Sequence, residues 1–432
     1  MHDLSKICDT VLTAAKAAGA DKAYVSASES EKREFNADGG RFSLMRTLFD
    51  NALSLTVIAD GRRGSFGLNR LDDAAVEEIV PRAMEIARAG ESDPAFDICR
   101  EKYNESFTDG CPDCDTERLF DRTEELFSHI SEDYPKIVVE QMIVEHDRVR
   151  RVYKNTSGTV FESLRGAYSF DVMFSAHDGT EATSFFSTGA VTDSLERPFC
   201  ELGSVERDLS DVEAQLHPIT PEGKFVGTVI MPPACLGSFV SDIIGNFASD
   251  TALLDGTSIW KDSLGQTVAD ERLTISLCPR DPEIICGERY SGDGFLSENY
   301  DFIRSGVLES FALSLYAANK TGNSRAKNAS GALVIAPGDA DLDSMIKGIE
   351  RGLIVGRFSG GEPGASGDFS GVAKNSFLIE NGKITGPVSE VMISGNLAQI
   401  LKSVRDISRE RIADGGSVLP YISFDGITVS GK

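Results

Sequence analysis

The chain has 432 residues, of which 68 are Asp or Glu and 43 are Lys or Arg, giving a formal net charge of −25. Lys and Arg supply most protein contacts to phosphate, so this charge disfavours a nucleic-acid partner, while the length suffices for two substantial hydrophobic cores. No apolar run approaches the ~18 residues of a membrane span, so no membrane partner is predicted.

The N-terminal half alternates helical and strand-like periodicity. Apolar residues between Leu4 and Ala18 recur at helical spacing with Asp and Lys among them, which predicts an amphipathic helix and not a secretion signal. A polar connector with two prolines is predicted at about residues 91–115. The other predicted elements are strands starting at Ala23, helices over Leu71–Ala89 and Thr116–Glu132, and strands over Ile137–Val144, Val160–Leu164, Tyr168–Ala176 and Thr183–Val191, the last three forming a meander.

The eight cysteines show no disulfide framework, which is typical of a reducing cytosol and predicts a cytoplasmic protein. Cys111-Pro112-Asp113-Cys114 has the spacing of a redox pair or half a zinc site, but no second such motif exists. Whether this pair is functional stays open. Cys235 is interpreted as a small buried residue. The histidines of the N-terminal half are interpreted as solvated or capping side chains: His129, His146, His177 and His217.

Two prolines and frequent charges mark Asp208–Lys224 as the strongest candidate domain boundary. We therefore predict an N-terminal domain over residues 1–215 and a C-terminal domain over residues 216–432. Directly after the boundary, Phe225–Met231 is predicted to be a strand that leads into a helix.

The C-terminal half carries repeated hairpin signals and a glycine-dense loop, predicted from Gly356 to Gly371. The loop is followed by a hairpin whose Asn381-Gly382 turn suits type I′ geometry. The fold class predicted for the chain is α+β, with an N-terminal α/β region of antiparallel strands and helices and a strand-rich C-terminal domain.

Several of these segments resemble the TldD/PmbA family, also called modulators of DNA gyrase. The resemblance is sharpest between Val229 and Ala269, which follows the pattern of the family's catalytic helix and the segment after it, and it includes Ser417–Pro420. It implies an α/β N-terminal region, a strand-rich C-terminal region and dimeric assembly.

The resemblance also implies where a metal is held in other members. In the TldD branch the helix carries His-Glu-x-x-x-His, and those places hold Ser241, Asp242 and Asn246 here, while the place of a C-terminal cysteine ligand falls near Arg411. A guanidinium has no lone pair for a metal, and no histidine follows His217. The chain therefore resembles the PmbA (TldE) branch, and no catalytic residue, metal or cofactor is expected.

Two segments are candidates for peptide binding. The polar side of the helix, at Ser241, Asp242 and Asn246, either lines a relic cleft or is simply the outer face of an amphipathic helix. The glycine-rich loop either lies over that cleft and holds a peptide by β-augmentation or is an ordinary surface loop. Its candidate residues are Gly364, Ser366, Asp368 and Asn375.

Together these features predict the non-metal-binding subunit of a TldD/PmbA-type metalloprotease complex that acts in peptide proteolysis and maturation. The predicted partners are a metal-bearing TldD-type subunit, a second copy of this chain, or both, with a peptide or unfolded protein as substrate. An alternative is a stand-alone regulatory protein acting on a toxin–antitoxin or topoisomerase system. An independent hydrolase using Asp242 is disfavoured because no general base pair is visible in the sequence.

Overall fold

A computed structural model describes residues 2–388 and 391–431, which form two separate β-sheets covered by helices. The helices of the described residues are α1 (Leu4–Ala17), α2 (Asp73–Ala89), α3 (Thr116–Asp133), a 3-10 turn (Phe199–Glu201), α4 (Val205–Glu213), α5 (Pro233–Phe247), α6 (Asp250–Leu254), α7 (Leu315–Thr321), α8 (Leu342–Lys347) and α9 (Leu397–Ile400).

The first sheet is antiparallel except at one edge and follows the order β3-β2-β1-β5-β6-β4, with β7 and β8 also paired to β6. Four of its strands are long, since β1 has 17 residues and β2, β5 and β6 have 19 each. They are β1 (Lys22–Asp38), β2 (Arg41–Ala59), β3 (Arg62–Leu68), β4 (Asn104–Gly110), β5 (Ile137–Asn155), β6 (Val160–Asp178), β7 (Glu181–Ala182) and β8 (Phe186–Thr192).

The second sheet contains the strands of the C-terminal half, and part of it closes on itself. These strands are β9 (Lys224–Met231), β10 (Ile275–Leu277), β11 (Tyr300–Arg304), β12 (Val307–Leu308), β13 (Leu333–Ile335), β14 (Arg351–Ser359), β15 (Asp368–Glu380), β16 (Lys383–Val388), β17 (Val391–Asn396), β18 (Val404–Ala413) and β19 (Val418–Ser430). Because β9 pairs with both β14 and β19, the strands β9, β14, β15, β17 and β19 form a five-stranded barrel.

Helix α5 packs against this barrel. It begins at Pro233, whose fixed φ suits the first helical position, and its buried residues recur at helical spacing. Phe239 meets Phe358 and Phe369 with ring centroids 5.2 Å away in each case. Burial of the apolar face fixes the rotation of α5 and thereby decides which of its polar residues face outward. That face consists of Cys235, Leu236, Phe239, Val240, Ile243 and Phe247.

The α+β class is confirmed, and so are several local predictions. The first three helices and α5 form where helical spacing places them. Asn381 and Gly382 join β15 to β16 with φ values of 51° and 73°, and a type I′ turn requires both to be positive. The division into domains at residue 215 stays a prediction.

Two predictions in the N-terminal half are wrong. The polar connector contains strand β4, which pairs in parallel with β6 and whose Phe107 packs on Phe161 with ring centroids 6.3 Å apart. The strands predicted at residues 160–164 and 168–176 are one strand, β6, which runs straight through Gly166. A side chain there would clash, since a Cβ would lie 2.3 Å from the carbonyl oxygen of Cys111. The predicted three-strand meander is therefore the single antiparallel pair of β6 and β8.

The glycine-dense loop is shorter than predicted. Residues 351–359 belong to β14 and residues 368–380 to β15, so the connection itself covers residues 360–367. In the part of the chain that is described, no helix combines the length and the apolar character needed to cross a bilayer.

Candidate functional site

The polar residues of α5 border two different grooves. One, which we call the Ser241 groove, has a volume of about 580 Å³ and is lined by Ser241, Ile244, Asp293 and Arg325 among others. The other, which we call the Asp242 groove, has a volume of about 430 Å³ and is lined by Asp242, Phe239, Phe358 and Glu362 among others. The helix thus separates the two neighbouring side chains into distinct environments.

Two of the candidate side chains on α5 bond to the backbone of their own helix. The Ser241 hydroxyl donates to the carbonyl oxygen of Gly237 over 2.9 Å, and the Asn246 amide nitrogen donates to the carbonyl oxygen of Asp242 over 3.0 Å. Such bonds are common for polar residues within helices and orient the side chains along the helix surface. Neither group is arranged as part of a chelating set.

Asp242 is the one ionisable candidate on the helix. Partial burial, together with repulsion from the carboxylate of Glu362, raises the pKa of Asp242. Glu362 was not predicted as a site residue. Its place in a glycine-dense segment was visible in the sequence, but its position beside Asp242 depends on how residues 360–367 fold over α5.

Arg411 lies on β18 opposite Pro420 and is not among the residues that line either groove. Its guanidinium donates to the carbonyl oxygen of Ile335 over 3.4 Å and lies 3.5 Å from the carboxylate of Glu283. The structure therefore does not bring Arg411 together with the polar residues of α5.

The glycine-rich loop is held in a defined shape at the end of α5. The Ser366 hydroxyl donates to Asp368 over 2.9 Å, and the Asn396 amide donates to both the Ser366 carbonyl and the Asp368 carboxylate, each over 2.9 Å. These bonds, led by that from Asn396, lower the pKa of Asp368. Gly364 accepts a hydrogen bond from the backbone of Gly367 over 2.8 Å. Three of the four predicted loop residues are thus brought together.

Asn375, the fourth, lies elsewhere. It is a buried residue of β15 with a φ of 50°, and its amide donates to Gln215 over 2.9 Å and to the carbonyl oxygen of Ser184 over 3.2 Å. It lines a cavity of about 270 Å³, here called the Asn375 cavity, between α4 and the barrel, whose other walls include Asp208, Phe377 and Tyr421. Its hydrogen bonds connect the two halves of the chain, and it lies within β15 and not in the loop.

The edge of β14 beside the Asp242 groove was also missed. Strand β14 pairs with β9 only at residues 352–354, although it continues to pair with β15 as far as Ser359. Gly356, Arg357, Phe358 and Gly360 line the groove. Within the described residues, this stretch of β14 faces a groove and not another strand on that side, which is the geometry that accepts an added strand.

The cysteine and histidine interpretations have mixed outcomes. Cys235 is buried, as predicted, and burial raises the pKa of its thiol to about 12. Cys111 and Cys114 are both free, and burial raises the pKa of each thiol, that of Cys111 to about 11. His146 is not solvated; it is buried and its Nε2 lies 2.8 Å from the Cys111 carbonyl oxygen.

Among the described residues, the one group of three His, Cys, Asp or Glu side chains close enough to share a metal ion is far from α5 in sequence, at His129, Cys200 and Glu206. On α5 itself Asp242 is the one group of that kind between residues 234 and 249 apart from the inward-facing Cys235. These side chains do not fit a zinc ion at the helix, which needs about three such ligands.

Comparison with known proteins agrees with the resemblance seen in the sequence. Residues 223–431 match the family model of the PmbA/TldA metallopeptidase C-terminal domain. Metalloprotease PmbA of Escherichia coli O157:H7 is 27% identical over 92% of this chain and 88% of that protein. A PmbA homolog of Haemophilus influenzae is 23% identical over 87% of this chain and 86% of that protein.

Solved structures share the fold over the whole chain. TldE from Thermococcus kodakarensis has a TM-score of 0.87 at 19% identity and covers 98% of this chain and 100% of that one. A candidate modulator of DNA gyrase from Bacteroides thetaiotaomicron has a TM-score of 0.87 at 22% identity, with 100% of both chains covered. Residues 223–431 are therefore a PmbA/TldD-type metallopeptidase C-terminal domain, and the chain as a whole is similar to metalloprotease PmbA.

Proposed function

We propose that this chain is the non-metal-binding subunit of a two-chain metallopeptidase that acts on peptides or unfolded segments. The observation that carries the proposal is the composition of helix α5. It presents a hydroxyl, one carboxylate and an amide where the metal-bearing branch is expected to present its ligands, and two of these three bond to the helix backbone. The zinc ion and its activated water then belong to a partner chain.

The chemistry of the donor set supports this assignment. A catalytic zinc is held by about three His, Cys or carboxylate ligands with a water in the open position. Asp242 offers a single carboxylate, and Arg411, a permanent cation, is engaged with Ile335 and Glu283. This chain's contribution is therefore to bind and orient the substrate and to complete the complex.

The Asp242 groove is suited to an extended peptide. Beyond Ile354, β14 has no strand pairing on its groove side among the described residues, while Phe239 and Phe358 supply apolar wall and Asp242 and Glu362 supply negative charge. Backbone pairing holds many sequences equally well, and alternate side chains enter the groove. We infer that extended peptides with apolar and basic residues bind there.

An exposed arm made by β1 and β2 supports the proposed partner subunit. Residues 41–50 of β2 are all exposed, and β2 pairs with β3 only from Leu53 onward, so this stretch has one edge without a strand partner in the described residues. Long apolar strand edges are usually covered by another chain. The large exposed side chains on this arm are Phe42, Leu44, Met45, Leu48 and Phe49.

Co-expression of the tagged chain with a His-Glu-x-x-x-His-bearing family member from the same genome tests the proposal. We expect a stable complex whose peptidase activity is lost on addition of a chelator, and no activity from this chain alone. Phe49→Lys should abolish the complex, whereas Met392→Lys, a change at an exposed residue of β17, should leave it intact.

Two outcomes contradict the proposal. Chelator-sensitive peptidase activity from this chain alone would make it a catalytic subunit. Failure of the two chains to associate, with equal behaviour of the Phe49 and Met392 variants, would instead support a stand-alone regulatory protein.

A further inference from the structure

Away from α5, the structure brings metal-ligating side chains together among the helices that pack on the N-terminal sheet. His129 lies near the end of α3, Cys200 on the 3-10 turn and Glu206 in the first turn of α4. The ligand atoms of these three residues all lie within 4.8 Å of one another. Three separate segments thus converge on a space of the size that one metal ion occupies.

The orientation of the His129 ring is fixed by its other nitrogen. Nδ1 lies 2.8 Å from the carboxylate of Asp133, one turn further along α3. When Nδ1–H donates to that carboxylate, the lone pair of the neutral ring is on Nε2, as in the carboxylate–histidine–metal arrangement of zinc proteins.

The Nε2 atom of His129 has no hydrogen-bond partner in the described part of the chain, although it is shielded from solvent. Glu206 Oε1 lies 2.6 Å away, but the contact lacks hydrogen-bond geometry. A buried nitrogen left without a partner next to a carboxylate is costly. An ion coordinated by both groups would satisfy both, and the two atoms, 2.6 Å apart, would move away from each other to coordinate it.

The surroundings fit a cation. The Tyr134 hydroxyl donates to the second oxygen of Glu206 over 2.7 Å and so holds that carboxylate in place. The Cys200 side chain is partly buried and packs against the adjoining core. The side chain of Glu206 is 47% exposed, which leaves one side of the group open to water.

We propose that His129, Cys200 and Glu206 form a binding site for a zinc ion, with Asp133 orienting the imidazole and water as the fourth ligand. Mixed nitrogen, sulfur and carboxylate ligands are the set that zinc prefers, and three protein ligands with an open position is a common arrangement. Because the three ligands come from α3, the 3-10 turn and α4, the ion fastens these segments to one another. The site is independent of the proposed function of α5.

Titration of the metal-free, fully reduced chain with Co²⁺ tests the site, since a Co²⁺–thiolate bond gives a charge-transfer absorption band. We expect one such band per chain, displaced by an equivalent of Zn²⁺, and a dissociation constant for Zn²⁺ tighter than about 1 μM in competition with a chromophoric chelator. Zn²⁺ should also raise the melting temperature of the chain.

Variants separate this site from adventitious binding. Cys200→Ser should abolish the band, and Asp133→Asn should weaken Zn²⁺ binding by about 10-fold to 100-fold because it removes only the orienting group. Glu206→Gln, a change at a partly exposed residue, weakens binding without endangering the fold. Cys114→Ser, which removes another partly buried thiol of the same core cluster, should leave the band unchanged. No Co²⁺–thiolate band in the parent chain, or a band that survives in Cys200→Ser, overturns the proposal.

Discussion

Ser241 and Asp242 are neighbours in the sequence, yet they line different grooves on either side of α5. The apolar face of the helix, buried against the barrel, fixes this division because successive helical residues are about 100° apart. The pair therefore provides a matched experiment, since the same substitution at the two positions changes one groove at a time.

Asp242→Lys is expected to weaken the binding of a basic, extended peptide to the chain by about 10-fold, because it reverses the charge that faces Glu362 in the Asp242 groove. Ser241→Lys adds the same side chain one residue earlier and should leave the affinity within about 2-fold. Fluorescence anisotropy of a labelled peptide at two salt concentrations measures both. Equal losses in the two variants would place the peptide outside the Asp242 groove.

The packing of the loop at residues 360–367 is expected to require a glycine at position 367 but not at position 364. Gly367 has a φ of 84°, and a Cβ there would lie 2.7 Å from the ring of Phe247. Gly367→Ala should therefore cost about 2 kcal/mol of unfolding free energy, from backbone strain and from displacement of the ring.

Gly364→Ala is the control, since a Cβ at this position meets no atom within 4 Å. Its unfolding free energy in urea should match that of the parent chain to within about 0.5 kcal/mol. A similar loss in both variants would mean that the loop does not pack on α5 as described.

The parts of the fold that could be predicted from the sequence are those set by residues close together in the chain. The Asn381-Gly382 turn and the apolar spacing of α5 need no information from distant residues. Strand β4 was missed because its identity depends on parallel pairing with β6 and on the contact of Phe107 with Phe161, neither of which leaves a periodic signal in seven largely polar residues.

The same distinction applies to the candidate site: contacts between residues close in sequence could be predicted, and contacts between distant residues could not. Ser366 and Asp368 contact each other at the end of the loop, but the residue that holds them, Asn396, is 28 positions beyond Asp368. Asn375 was assigned to the loop by proximity in sequence, whereas its positive φ turns it toward Gln215, 160 residues away. Contacts of that separation are set by how the two sheets pack, which no local pattern records.

The Ser241 groove contains an ion pair whose disruption should be costly. Arg325 donates to both oxygens of Asp293 over 3.0 Å and stacks over the ring of Phe295 at 4.1 Å. Although burial opposes ionisation, this guanidinium keeps the pKa of Asp293 below its usual value. Arg325→Met leaves a largely buried carboxylate without its counter-charge and should cost about 3 kcal/mol.

The double variant Asp293→Asn with Arg325→Met should recover most of that loss, because it removes the uncompensated charge together with its partner. Chemical denaturation of the single and double variants at neutral pH makes the comparison. If the double variant is as unstable as the single one, the packing of Arg325 on Phe295 and not its charge is what stabilises the groove.

Asp208 in the Asn375 cavity predicts a pH dependence of stability. Burial raises the pKa of its carboxyl to about 6, against hydrogen bonds of 2.6 Å from Thr188 and Ser204 that favour the ionised form. A carboxyl group whose pKa is higher in the folded chain than in the unfolded chain binds more protons when folded. Its ionisation therefore destabilises the fold progressively as the pH rises from about 4 to about 6.

Asp208→Asn keeps an acceptor for Thr188 and Ser204 but cannot ionise. Relative to the parent chain, this variant should gain about 1 kcal/mol of unfolding free energy as the pH is raised from about 5 to about 7, where the parent carboxyl loses its proton. Urea denaturation of both proteins at several pH values gives the difference, and Asp121→Asn, at an exposed position on α3, reports the effect of removing one surface charge. A stability difference that shrinks or stays constant over this range would mean that burial in the cavity does not raise the pKa of Asp208.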